Sequence, residues 1–312
     1  MRNIKIFSFG KCIFYLLKGL LLTSVIFIGV IIYYKMRPIN RFLDDIVIAN
    51  GHLAFDEDGS SLFGDFTTYH LRIYPVDRLY AIDLSFVDLV DLPFQRFRLF
   101  GNRRNLMLEM SYTGVCDDQL LELCEMDHFK GLNLTGCPRL TDKGIAGIQN
   151  MRNLKFLYLS ETACTDDACQ KMGVLPIERI LLDDTAVMGD CFHSKYGWNK
   201  LRNISMVRCR LSSSFFENIA TLPSITTLMI SEYAGLPDDL LPMCKMKIPP
   251  SIYIVQESEK NTEYDWEQIQ KKYDLNIQLV SSYSVHQGKM LWLHPFCIVD
   301  TNYIRGFHRA LY

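Results

Sequence analysis

A pair of apolar residues separated by one position recurs about every 24 residues through most of this chain. It reads Ile82/Leu84, Leu108/Met110, Leu132/Leu134, Leu157/Leu159, Ile180/Leu182, Ile204/Met206, Leu228/Ile230, Ile252/Ile254 and Ile277/Leu279, in steps of 23 to 26 residues. A unit this short cannot bury its apolar face alone, so successive units must stack and share one interior. The expected fold is therefore α/β: a solenoid with a curved parallel sheet on its concave side and helices on its convex side. A long repetitive surface of that kind suits binding better than chemistry.

Each unit predicts a strand, a turn, a helix and a return. The alternation in Leu132-Asn133-Leu134 has period two, which turns both leucines to one face and the asparagine to the other. Five residues after the first apolar position stands a small hydroxyl or thiol residue: Thr113, Cys137, Thr162, Thr185 and Cys209. These form an expected structural ladder, serving backbone groups left unpaired where each strand bends away. Next come Asp117, Asp142, Asp166, Asp190, Ser213 and Asp238, residue types that cap a helix N-terminus by accepting its orphan amide hydrogens.

The run from Leu132 through Cys137 and Asp142 to Ile145 resembles a cysteine-containing leucine-rich repeat, the type found in F-box-associated and many bacterial proteins, and Leu157 to Asp166 repeats it with one residue fewer. The resemblance is good over Leu108 to Leu241 and weakens outward, as capping coils require. No adaptor-like helical pattern precedes the repeats, so a ubiquitin-ligase role is not carried over. The resemblance implies a protein-binding surface on the strands.

The N-terminus carries a second signal. Gly19 to Tyr34 holds no charged residue, and extension back to Phe14 gives about 21 residues, or roughly 31 Å of helix, enough to span the bilayer core. The flanking Tyr-Tyr-Lys-Met-Arg-Pro does not resemble a cleavage site, so an uncleaved single-pass anchor in the lipid bilayer is expected over residues 14–34. Arg2, Lys5, Lys11 and Lys18 precede the uncharged run, with Lys18 inside the span and expected to snorkel to the headgroups, and Lys35, Arg37 and Arg41 follow it; four against three leans toward a cytoplasmic N-terminus with the repeats outside. The expected organisation is a tail over 1–13, the anchor, a linker and N-terminal cap over 35–78, repeats over 79–280, and a C-terminal cap or tail over 281–312.

Other readings narrow the function. A formal net charge of -2 with no basic block gives no electrostatic case for nucleic acid. The ten cysteines show no paired metal-ligand spacing and read mostly as reduced core thiols, with Cys12 a possible lipid attachment site beside the anchor. His286, His294 and His308 are not spaced to share a helix face, and a calcium loop around Asp56 to Ser60 would have Ala54 in place of its first ligand and the shorter acid Asp65 at its twelfth position. No nucleophile elbow, phosphate loop or zinc-protease motif occurs, and Cys191 with His193 is poorly spaced for a dyad. Neither enzyme activity nor a cofactor or metal is expected.

The partner-binding residues are expected to be those that alternate with the buried pairs: Phe156, Tyr158, Ser160, Arg179, Leu181, Asp183, Ser205, Val207 and Met229. Aromatic residues and arginine dominate interface hot spots, which centres the site on the coils beginning at Leu157 and Ile180. The partner is an unknown protein or peptide. Alternative roles are a cell-envelope assembly component with the repeats as a spacer, and a ligand-sensing partner in a signalling complex.

Overall fold

The computed structural model describes residues 37–55, 79–90, 92–101, 105–231, 237–256 and 265–281, together with 18, 20, 21, 23–25 and 27. The described chain is α/β. Helix α1 covers residues 37–48, followed by strands β1 (His52–Phe55) and β2 (Leu79–Asp83). Then come β3 (Leu106–Glu109), α2 (Asp117–Cys124), β4 (Phe129–Asn133), α3 (Asp142–Gly147), β5 (Phe156–Tyr158), α4 (Asp166–Cys169) and β6 (Arg179–Leu181). The order continues with β7 (Asn203–Met206), α5 (Phe215–Ala220), β8 (Thr227–Ser231), α6 (Leu241–Cys244), β9 (Ser251–Gln256), α7 (Trp266–Tyr273) and β10 (Ile277–Ser281).

The ten strands among the described residues join one sheet in sequence order. The first pair is antiparallel and the rest are parallel. Register follows the apolar pairs: Ile82 lies beside Leu108, Leu108 beside Leu132, and so on through Leu157, Ile180, Ile204, Leu228, Ile252 and Ile277. A one-residue slip would turn every pair out of the core, so the pairs fix the register. Apart from Leu279, their side chains join one continuous apolar core with α2, α3, α5 and α7.

Residues 37–48, within the stretch expected as linker and N-terminal cap, form a helix that buries Phe42, Leu43 and Ile46 in the core, with Phe42 edge-on to Phe97 at 5.0 Å. At the far end Leu279, inward by pattern, remains 45% exposed. The last helix is capped by Asp265, whose carboxylate accepts from the Gln268 N–H at 3.0 Å.

The helix caps also differ from expectation. Thr141 and Thr165 cap α3 and α4, each hydroxyl accepting the N–H two residues on, and Cys116 caps α2. The aspartates that follow are first helical residues and reach into the next coil. Asp117 accepts from the Thr141 N–H at 2.8 Å and hydroxyl at 2.6 Å, and Asp166 accepts from the Gly189 and Cys191 N–H groups at 3.0 and 2.9 Å. Gly144 permits this approach, since a Cβ there would lie 2.4 Å from Asp117 Oδ1. The helix expected after Asp190 is reduced to a 3-10 turn at Ser194–Tyr196, and the wholly buried Trp198 fills the interior beside it.

No helix among the described residues is long and apolar enough to cross a membrane. Most of the expected 14–34 anchor, Cys12 and the C-terminal histidines lie outside the described residues.

Candidate functional site

The sheet has a core face and an outward face. Strand pairing aligns one residue per strand along the outward face: Asp83, Glu109, Asn133, Tyr158, Leu181, Ser205, Met229, Tyr253 and Gln278. Phe156 pairs with Arg179 in a parallel row, which brings together the two coils on which the expected site is centred. The Arg179 guanidinium carbon and the Lys130 ammonium lie 5.7 and 5.9 Å from the centroid of the Phe156 ring. Contacts of this kind contribute about 0.5–1 kcal/mol each at exposed sites. Beside them Lys155 pairs with Glu178 at 2.7 Å.

Phe156, Arg179 and Asp183 are half-buried, whereas Tyr158, Ser160, Leu181, Ser205, Val207 and Met229 are buried. Asp183 accepts from the Ser205 hydroxyl at 2.6 Å and the Val207 N–H at 2.7 Å, and its own N–H donates to the Ser160 hydroxyl at 3.1 Å. Burial raises the Asp183 pKa, against the pull of those hydrogen bonds. Two strands from Phe156, burial pushes the Glu109 carboxyl up to about 7, with Asn133 and Ser111 hydrogen bonds opposing and the Asp83 charge adding to the shift.

The ladder residues bond to backbone where the strands end. The hydroxyls of Thr113, Thr162 and Thr185 donate to the carbonyls of Met110, Leu159 and Leu182 at 2.8, 2.6 and 2.6 Å. The thiols of Cys137 and Cys209 donate to the Met110 and Leu182 carbonyls of the preceding coil at 3.2 and 3.0 Å. Burial raises both thiol pKa values, so they remain protonated donors near neutral pH.

Four positions after the first apolar residue of each pair lies a row that the sequence reading missed. Phe86, Tyr112, Gly136, Glu161, Asp184 and Arg208 all have φ between 53° and 66°. Phe86 and Tyr112 stack at 5.1 Å and 7°, both exposed, and Tyr112 donates to Glu161 at 3.0 Å. Gly136 lets the Tyr112 ring pass, because a Cβ there would lie 2.3 Å from it. Burial, followed by the Glu161 charge, moves the Tyr112 pKa to about 12. Arg208 and Asp184 form an ion pair farther along the row. The same fixed offset that marks the ladder marks this row, one column earlier, and could have disclosed it.

Neither metal nor dyad chemistry is assembled among the described residues. No three metal-ligating side chains converge, and none of the described cysteines is in a disulfide. Cys191 is buried with its thiol pKa raised by burial, while His193 Nδ1 accepts from the Lys195 N–H at 3.0 Å. The half-buried Phe156 lies against the Arg179 and Lys130 cations on the outward face. No protein-family model matches the chain, and none of the curated proteins matches it.

Proposed function

We propose that this chain is a membrane-anchored leucine-rich-repeat protein that holds a protein or peptide partner on the outward face of its sheet, centred on Phe156 and Arg179. The repeat period and its ladder support the solenoid reading, and the uncharged N-terminal run with aromatic flanks supports a single-pass anchor over 14–34. The repeats then stand outside the cytoplasm.

The observation that carries the binding role is the register pairing of Phe156 with Arg179, with Lys130 completing the aromatic-cation group. An aromatic ring with a guanidinium beside it supplies apolar area and directional donors at small conformational cost. Leu181, Val207 and Met229 lie on the same face but are only 7%, 2% and 1% exposed, so the half-buried Phe156 and Arg179 carry the accessible contact. Affinity capture from detergent-solubilised membranes tests the proposal. Phe156→Ala with Arg179→Ala should lower recovery of the captured partner at least tenfold while leaving the thermal transition within a few degrees of wild type. Unchanged recovery would refute the assignment.

A further inference from the structure

The charges around Phe156 are sorted by column. Two residues ahead of each apolar pair stand Lys130, Lys155, Glu178 and Arg202, a column leading into β4 to β7. Backbone bonds tie this column together: the N–H groups of Lys155, Glu178 and Arg202 donate to the carbonyls of Lys130, Lys155 and Glu178 at 2.8, 2.8 and 2.9 Å. Arg179 adds a fourth cation in the next column, beside Phe156. Along the described sheet these two columns carry no other charge. The single carboxylate, Glu178, is engaged by Lys155 at 2.7 Å, so the edge is strongly basic. It is also accessible, since Arg202 is exposed and the other four charges are half-buried, whereas Tyr158 and Leu181 farther along the strands are buried.

The opposite ends of the same coils carry the acids. Asp183 follows Arg179 by four residues, and Glu161 and Asp184 come one position later in their repeats, with Arg208 paired to Asp184. Four residues of strand extend about 13 Å, which exceeds the ~8 Å screening length at physiological salt. A negative group at the N-terminal edge is therefore drawn to the cations and screened from the acids.

We propose that the segment held at Phe156 and Arg179 is an acidic peptide, its carboxylates lying along the N-terminal edge of β4 to β7. This rests on the proposed binding role and adds the chemistry of the partner. Lys130 and Arg202 stand three strands apart, about 14 Å, and an extended peptide crossing the strands repeats its side chains on one face about every 6.6 Å. Acids at three alternate positions match that span. The Arg179 guanidinium offers a carboxylate two parallel N–H donors, while the Phe156 ring takes an apolar neighbour. An uncharged segment would strip water from these cations and return nothing.

Selection from a phage-displayed library of random dodecapeptides, on the full detergent-solubilised chain, tests it. The recovered pool should be enriched about threefold in Asp and Glu over the starting library and depleted in Lys and Arg. A peptide synthesised from that pool should bind Lys130→Gln with Arg202→Gln about tenfold more weakly than wild type, and raising the salt should shrink the difference. Arg202→Gln alone, at an exposed position, should show part of the same loss with an unchanged thermal transition, and Lys143→Gln on the helical side should show none. A pool without acidic bias, no enrichment of any peptide, or equal binding by the Lys130 and Arg202 variant would overturn the acidic assignment. Selected peptides that lack the bias yet lose binding with Phe156→Ala and Arg179→Ala would leave the binding face standing. Acidic peptides indifferent to those two substitutions would overturn both.

Discussion

Asp142 accepts two hydrogen bonds from Thr165 in the next coil, from its backbone N–H at 2.9 Å and its hydroxyl at 2.5 Å. Thr165 in turn caps α4, so the carboxylate holds the residue that starts the neighbouring helix. Asp117 and Thr141 repeat the arrangement one coil earlier. Stacking in this protein is thus enforced on its helical side as well as by the sheet. Asp142→Ala should cost about 1–2 kcal/mol, since each charge-assisted bond contributes more than a neutral one. A double-mutant cycle with Thr165→Ala, read by chemical denaturation, should show coupling of about 1 kcal/mol; additive effects would mean the contact carries no energy.

Thr162 tests the ladder. Its hydroxyl is buried and donates to the Leu159 carbonyl at 2.6 Å. Thr162→Val keeps the shape, removes the donor and leaves a buried carbonyl without this partner, so denaturation should show a loss of about 1–2 kcal/mol. Thr162→Ser should recover most of that stability.

Glu109 makes stability depend on pH. Its folded pKa of about 7 exceeds the ordinary value of 4.5, so the folded chain holds a proton the unfolded chain has released. Stability from this residue is full below about 4.5 and is lost as pH rises toward 7. Glu109→Gln should therefore stabilise the protein by about 1–3 kcal/mol at pH 8 and by almost nothing at pH 4, as measured by denaturant melts across that range.

His128 has the opposite slope. It is 2% exposed, its Nε2 has no hydrogen-bond partner among the described residues, and burial lowers its pKa to about 4, opposed by the Asp127 charge. The unfolded chain gains a proton near 6.5 that the folded chain refuses until about 4, so stability falls as pH drops through that window. His128→Leu should remove about 2–3 kcal/mol of acid-side loss between pH 7 and pH 4 in the same melts. Because the two residues oppose each other between about 4.5 and 6.5, each effect is clearest in its single variant.

The sheet order and register were legible because Leu132, Leu157 and Ile180 state them repeatedly, and a period-two pattern admits one inward register. The ladder was legible for the same reason. Cap identity was misread by one residue, since Thr141 and Asp142 are both capping types and spacing alone cannot tell which accepts from its own helix. Helix 37–48 and β1 occur once, outside the period, and so had no repetition to announce them. The close pairing of Phe156 with Arg179 followed from the repeat, but the burial of Tyr158 and Met229 did not. Local alternation assigns a residue to a face and is silent about how deeply that face is buried.

Amide hydrogen exchange of the full chain, with and without its captured partner, tests the central claim most directly. Partner binding on the outward face should slow exchange at least tenfold in peptides spanning 129–134, 156–160 and 179–183, leaving 142–147 and 215–220 on the helical side unchanged. Slowing confined to the helical peptides, or found in neither set, would contradict it.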